Sequence, residues 1–148
     1  MAVYLQVRAG PVGLLLDALR VHEVVTLPED FRDDQAFAEW RRRVLHVVRL
    51  AGHLQLAPGQ ARHGVVYAPR EGDEPVMLCV DEVNRLRPLE DGAWHPLPPS
   101  VPAQTAALFD AVHVDTAQHQ QLYRLKSDVM AALLGVPSGS AEGALDAV

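Results

Sequence analysis

Apolar residues in this chain come in short runs, and glycine, proline or a polar cluster breaks each one before it reaches helical length. Tyr4 to Val7 alternates, Gly10-Pro11 interrupts, and Val12 to Leu16 resumes as a nearly continuous apolar run, the pattern of two strands joined by a glycine turn. Leu19, Val21 and Glu23 alternate with Arg20, His22 and Val24, which predicts a strand with one packed face and one partly wet face. Val44 to Leu50 predicts a buried strand, Gly52 a turn that needs positive φ, and Leu54 with Leu56 a further strand ending at Pro58-Gly59. Gly64 to Ala68 and Pro75 to Val80 flank the polar loop Arg70-Glu71-Gly72-Asp73-Glu74, a second hairpin. Val83 to Leu89 follows, and Ala107 to Val114 with Gln120 to Lys126 make a last pair. Turn signals recur roughly every 8 to 12 residues, the spacing of an all-β barrel or sandwich.

Helices are accessory in this pattern. Asp33 or Asp34 can cap a segment in which Phe37, Trp40 and Val44 share a stripe and Glu39 lies one turn before Arg43, so a helix is predicted over residues 33–43. Its cationic end, Arg41-Arg42-Arg43, suits a helix C-terminus, and an aromatic residue beside arginines has the composition of an interface anchor. Ser127 caps a second short helix, Asp128 to Leu134, that stops at Gly135. Four prolines between Pro96 and Pro102 remove backbone donors, so this stretch is predicted to be an extended surface connector linking two halves of the molecule. An internal echo supports two halves. Ala18 to Val24 aligns with Val80 to Leu86, placing Val21 on Val83 at an offset of 62 residues.

At 148 residues the chain fits one domain, and 49% hydrophobic against 22% charged residues suffices for a packed core. A formal charge of −6 repels polyphosphates, so a nucleic-acid partner is not expected. No apolar stretch approaches the roughly 20 residues of a bilayer span, and Met-Ala-Val-Tyr-Leu-Gln-Val lacks a basic n-region; membrane insertion is not expected, and the expected location is cytoplasmic. Cys79, the single cysteine, sits in Val76-Met77-Leu78-Cys79-Val80 and reads as a buried small hydrophobe. The pairs His46 and His53, and His113 and His119, lack the spacing that sets two ligands on one face. There is no Gly-x-Ser-x-Gly elbow and no phosphate-cradling glycine loop. No catalytic, cofactor-binding or metal-ligating residue is therefore assigned, and enzymatic activity is not expected.

Several segments together resemble the CheW-like domain family, the coupling proteins of bacterial chemotaxis. They are Tyr4-Leu5-Gln6-Val7 before its glycine turn; Gly13-Leu14-Leu15-Leu16-Asp17-Ala18-Leu19-Arg20-Val21-His22-Glu23-Val24, similar to "G-(apolar)-D-I-x-x-V-x-E-V"; and Val47-Val48-Arg49-Leu50-Ala51-Gly52, similar to "V-x-N-L-R-G". Met77-Leu78-Cys79-Val80-Asp81-Glu82-Val83 resembles "G-L-x-V-D-x-V", and Trp94-His95-Pro96-Leu97-Pro98-Pro99 falls where the family has a Pro-rich connector. Residues 3–134 are covered. The departures are definite: Arg49 and Ala51 stand where the family has Asn and Arg, and the Asp-Leu pair expected after Gly52 is missing.

The resemblance implies an all-β fold with accessory helices, made of two small SH3-like five-stranded β-barrel subdomains. Residues 1–136 would form a single intertwined CheW-like domain with its connector at about 94–104, and residues 137–148 a flexible tail. It implies a non-enzymatic adaptor, without cofactor, that binds the regulatory domain of a CheA-type histidine kinase and the tip of a chemoreceptor or another sensor, at membrane-associated receptor clusters. The protein-binding residues implied are Val21, Glu23, Val24, Arg49, Gly52, Asp81 and Val83, with Trp40 added from the inserted segment. The departures at Arg49 and Ala51 and the insertion from Pro28 to Arg43 open a second possibility, an interaction module recruited to another motility, pilus or polarity scaffold.

Overall fold

A computed structural model describes residues 1–32, 34–54 and 61–126. The short apolar runs become ten strands: β1 (Ala2–Ala9), β2 (Val12–Asp17), β3 (Val21–Thr26), β4 (Phe37–Trp40), β5 (Arg43–Arg49), β6 (His63–Tyr67), β7 (Val76–Val80), β8 (Glu82–Leu89), β9 (Phe109–Asp115) and β10 (Gln120–Leu125). Two helical turns, α1 (Leu50–His53) and α2 (Ala103–Ala106), accompany them. The strands form two five-stranded sheets in the orders β8-β1-β2-β10-β9 and β3-β6-β7-β5-β4. Each curls into a small SH3-like barrel.

Both barrels follow one plan. A central antiparallel hairpin, β1–β2 or β6–β7, has an antiparallel strand beside its first member, β8 or β3. A parallel strand, β10 or β5, lies beside its second member and carries its own antiparallel partner, β9 or β4. The offset of Val21 from Val83 therefore extends through the sheets: Tyr4 in β1 corresponds to Val66 in β6, and Leu15 in β2 to Met77 in β7. The second barrel is contiguous, from Val21 to Val80, while the first is assembled from chain on both sides of it.

The central hairpins are apolar on both faces because both faces are covered. Leu5, Val7, Leu14 and Leu16 of the first sheet meet Val65, Tyr67, Val76, Leu78 and Val80 of the second in a shared seam, joined by Phe109 and Leu125. Residues of opposite parity point into the barrels. Tyr4, Leu15, Leu89 and Leu122 fill the first with Trp94 against them, and Val66, Met77, Cys79, Leu45 and Leu27 fill the second. Burial pushes the Cys79 thiol up to about 11, so it serves as packing and not as a nucleophile. At the first hairpin, Ala9 pairs with Val12 around Gly10-Pro11, and Gly10 takes φ 57, a left-handed conformation that starts a tight hairpin turn without a Cβ clash.

Five expectations are corrected. The helix predicted over 33–43 is a β-hairpin: Trp40 pairs with Arg43 across a two-residue turn in which Arg41 and Arg42 take φ 48 and 63. The spacing of Phe37, Trp40 and Val44 fits a helix, but strand pairing lets Ala38, Trp40 and Leu45 pack into the barrel while Phe37, Glu39 and Val44 face outward. Tertiary packing overrides local periodicity here. Gly52 lies in α1, and its φ is not positive. Leu54 ends that helical turn by donating its N–H to the Leu50 carbonyl at 3.0 Å instead of opening a strand, and Leu56 lies outside the described residues. The Pro-rich connector joins β8 to β9 within the first sheet, so it does not link the two halves. Finally, Ala18–Arg20 forms a 3-10 turn, capped by Asp17 Oδ1 accepting from Leu19 N–H at 3.0 Å, and the strand begins only at Val21. The helix expected from Asp128 to Leu134 and the tail beyond it lie outside the described residues.

Candidate partner-binding surface

The chain crosses between sheets twice, from β2 into β3 and from β7 into β8, and the two strands that follow the crossings carry four of the eight candidate residues, with a fifth, Asp81, immediately before β8. Val21 and Val83 occupy matching positions there. Both are half-buried against the shared seam, so their first role is packing. Val24 pairs with Val65 and Leu86 with Leu5, and directly opposed residues share a face. Val65 and Leu5 lie in the seam, yet Val24 is 41% and Leu86 61% exposed. Each edge strand thus leaves one apolar side chain in solvent at the margin of the seam. Leu86 was missed by sequence reasoning, although the 62-residue offset from Val24 points to it.

Glu23 and Trp40 are brought together. Trp40 Nε1–H donates to Glu23 Oε1 at 3.1 Å, and Arg41 donates to the same oxygen through Nε at 3.1 Å and through an NH2 group at 2.8 Å. The Arg41 guanidinium also lies 5.2 Å from the Trp40 ring centre, with the His22 ring 6.2 Å away edge-on. Arg41, then Trp40, holds the Glu23 carboxyl below the usual range. Because β3 and β4 are the two edges of the second sheet, this cluster closes that barrel.

The remaining candidates are internally engaged or set apart. Arg49 donates to the Arg32 carbonyl at 2.7 Å and stands 5.6 Å from the Phe31 ring centre. Gly52 is exposed, with open space where a Cβ would project. Asp81 accepts from Gly10 N–H at 3.2 Å, and its own N–H donates to the Arg8 carbonyl at 2.9 Å, so it braces the first hairpin turn.

The first barrel is closed by the same device with polarity reversed. Arg87 of β8 donates to Asp115 of β9 at 2.8 Å and to Gln6 Oε1 at 3.0 Å, and Asp115 Oδ1 accepts Gln118 N–H at 3.1 Å. Here the cation is on the β8 side and the carboxylate on the β9 side; the Arg87 side chain is largely shielded at 13% exposed and that of Asp115 is buried at 7%. Arg87, then the Gln118 amide, keeps the Asp115 carboxyl below its ordinary value. A carboxyl lowered in the fold stabilises above its unfolded value and stops doing so as pH falls through the folded one. Urea midpoints should therefore be flat from pH 7 down to about 5 and drop below about 4. In Asp115→Asn the part of that drop due to this group should vanish. An unchanged acid limb in the variant would show that the pair does not act on stability.

No protein-family model matches the chain, and no curated protein matches it in sequence. Among solved structures, the scaffolding protein TtCheW from Thermoanaerobacter tengcongensis superposes with a TM-score of 0.67 over 84% of this chain and 88% of that one, at 17% identity. The chain has a CheW-like fold. Within this divergent CheW-like fold, the seam-margin strands β3 and β8, with exposed Val24 and Leu86, are the candidate docking surface, and the Glu23–Trp40–Arg41 cluster lies beside the first of them.

Proposed function

We propose that this chain is a non-enzymatic adaptor of a chemotaxis-like signalling system, coupling a CheA-type histidine kinase to a chemoreceptor or another sensor by binding alone. The observation that carries the reading is a CheW-like fold in which each seam-margin strand presents one solvent-exposed apolar side chain, Val24 on β3 and Leu86 on β8. Apolar groups held on rigid strands beside a packed core lose little freedom on binding and gain burial. One chain with two such margins can hold two partners at once, which is what coupling requires. Val21, Val83 and Asp81 then act as supports of these strands, and the adaptor works at receptor clusters in the cytoplasm.

The test is calorimetric titration of the chain with the regulatory domain of the CheA-type kinase encoded in the same genome, and with a receptor-tip fragment from that genome. Val24→Asp and Leu86→Asp should each weaken one partner by about tenfold or more, with unchanged far-UV circular dichroism. A parent chain that binds neither probe would overturn the reading.

A second reading is favoured by Arg49. Its guanidinium is tied to the Arg32 carbonyl and stacked beside Phe31, so it is engaged within the chain at the segment that departs from the family pattern. On this reading the same surface serves another motility, pilus or polarity scaffold, and binding to the kinase domain persists while the receptor tip fails to bind.

A further inference from the structure

The two barrels share a plan but are not closed with equal strength. In the first, the parallel ladder between β2 and β10 runs from Leu122 to Arg124, and the edge strand β9 is stitched to the connector by two backbone bonds, His95 N–H to the Val112 carbonyl at 2.8 Å and Val112 N–H to the His95 carbonyl at 2.9 Å. Its closing ion pair is largely shielded from solvent. In the second, the ladder between β7 and β5 is equally short, Val47 to Arg49, but among the described residues β4 has no backbone stitch to a connector like the one that holds β9. Residues 37–46 pair with nothing but each other, and among the described residues no backbone bond joins β4 to β3. What holds this ribbon down is the insertion of Ala38, Leu45 and Trp40 into the barrel, the tie from Arg43 to Glu74, and the latch on Glu23. That latch is at the surface, with Glu23 36% and Arg41 70% exposed. Its turn carries two arginines in a left-handed conformation that L-residues avoid and that persists only where side chains enforce it.

We propose that the β4–β5 hairpin is a flap that swings out of the second barrel when Glu23 lets go of Trp40 and Arg41, pivoting where β5 joins β7 at Val47. Opening carries Trp40, Ala38 and Leu45 away from Leu27, Val66 and Met77 and makes the interior of the second barrel accessible. The seam and the first barrel stay intact, because Val48 and Leu50 lie beyond the pivot in the shared core. The flap opens locally, at a free energy below that of global unfolding.

Hydrogen exchange on the full chain tests this, comparing the parent, Glu23→Gln, and the parent in about 1 M NaCl, where the screening length falls to ~3 Å. The Ala38 and Leu45 amides, paired within the hairpin, should exchange about fivefold faster in Glu23→Gln and in high salt, as expected for loss of an exposed ion pair. The Val65 and Leu78 amides should not change. If Ala38 and Leu45 exchange in step with Val65 and Leu78 in every case, the hairpin opens only with the whole molecule and the flap is wrong. A ratio between the two sets that neither the substitution nor salt alters would remove Glu23 as its latch.

Discussion

Phe109→Ala is expected to cost about 3–5 kcal/mol, a large share of the roughly 5–15 kcal/mol that holds a domain of this size together. Phe109 is 1% exposed in the seam, with the Tyr123 ring 5.3 Å from its own. Although it belongs to a strand of the first sheet, its loss should weaken both barrels together. The interiors of the barrels are small, the largest buried cluster is the one they share, and a barrel of about 60 residues is marginal alone. The two tryptophans make this measurable: Trp94 packs in the first barrel and Trp40 in the second. Urea unfolding followed by fluorescence in Trp40→Phe and in Trp94→Phe backgrounds should show Phe109→Ala lowering both midpoints by similar amounts. A midpoint for Trp40 that ignores the substitution would mean that the seam does not couple the barrels.

Gly64→Ala is the second large effect. Gly64 is buried in β6, and a Cβ there would overlap the Met77 sulfur while pressing on Leu27 Cδ2 at 3.1 Å and Val25 Cγ2 at 3.2 Å. Met77 is itself 2% exposed and cannot move into solvent without opening the barrel. Overpacking of this kind costs about 1–3 kcal/mol. The remedy is specific: Met77→Ala makes room for the added methyl, so the double variant should be more stable than the sum of the two single losses predicts. Strict additivity of the urea-derived free energies would show that the methyl meets some other obstacle.

Much of the fold was legible because both faces of the central hairpins are covered. Covered faces write themselves as unbroken apolar runs, such as Val12 to Leu16 and Val76 to Val80, and the turn at Gly10-Pro11 carries residues that its backbone requires. The echo between Val21 and Val83 was legible for a related reason, since matching positions face the same seam. The hairpin at residues 37–46 was not. Its turn places Arg41 and Arg42 where asparagine and glycine are favoured, so the usual signal is missing, and Phe37, Trp40 and Val44 meet helical spacing by coincidence. The closing contacts could not be read either. Arg87 and Asp115, like Glu23 and Arg41, are far apart in sequence and meet only because a sheet curls until its edges approach. Of the candidate surface, Val24 could be named from family resemblance, whereas Leu86 emerged once strand pairing showed which face each residue shares.

The insertion of one barrel within the other has a consequence for synthesis. Every strand of the second barrel has left the ribosome once Val80 emerges, while the N-terminal hairpin must wait for Leu125 before its own sheet is complete. At roughly 5–20 residues per second, that interval lasts several seconds. Throughout it, Tyr67, Val76 and Leu78 face the nascent β1–β2 hairpin with the cover from Phe109 and Leu125 still to come. The newborn chain passes through a stage with part of its largest apolar surface bare, the stage at which chaperone contact or mispairing between neighbouring nascent chains would decide its yield.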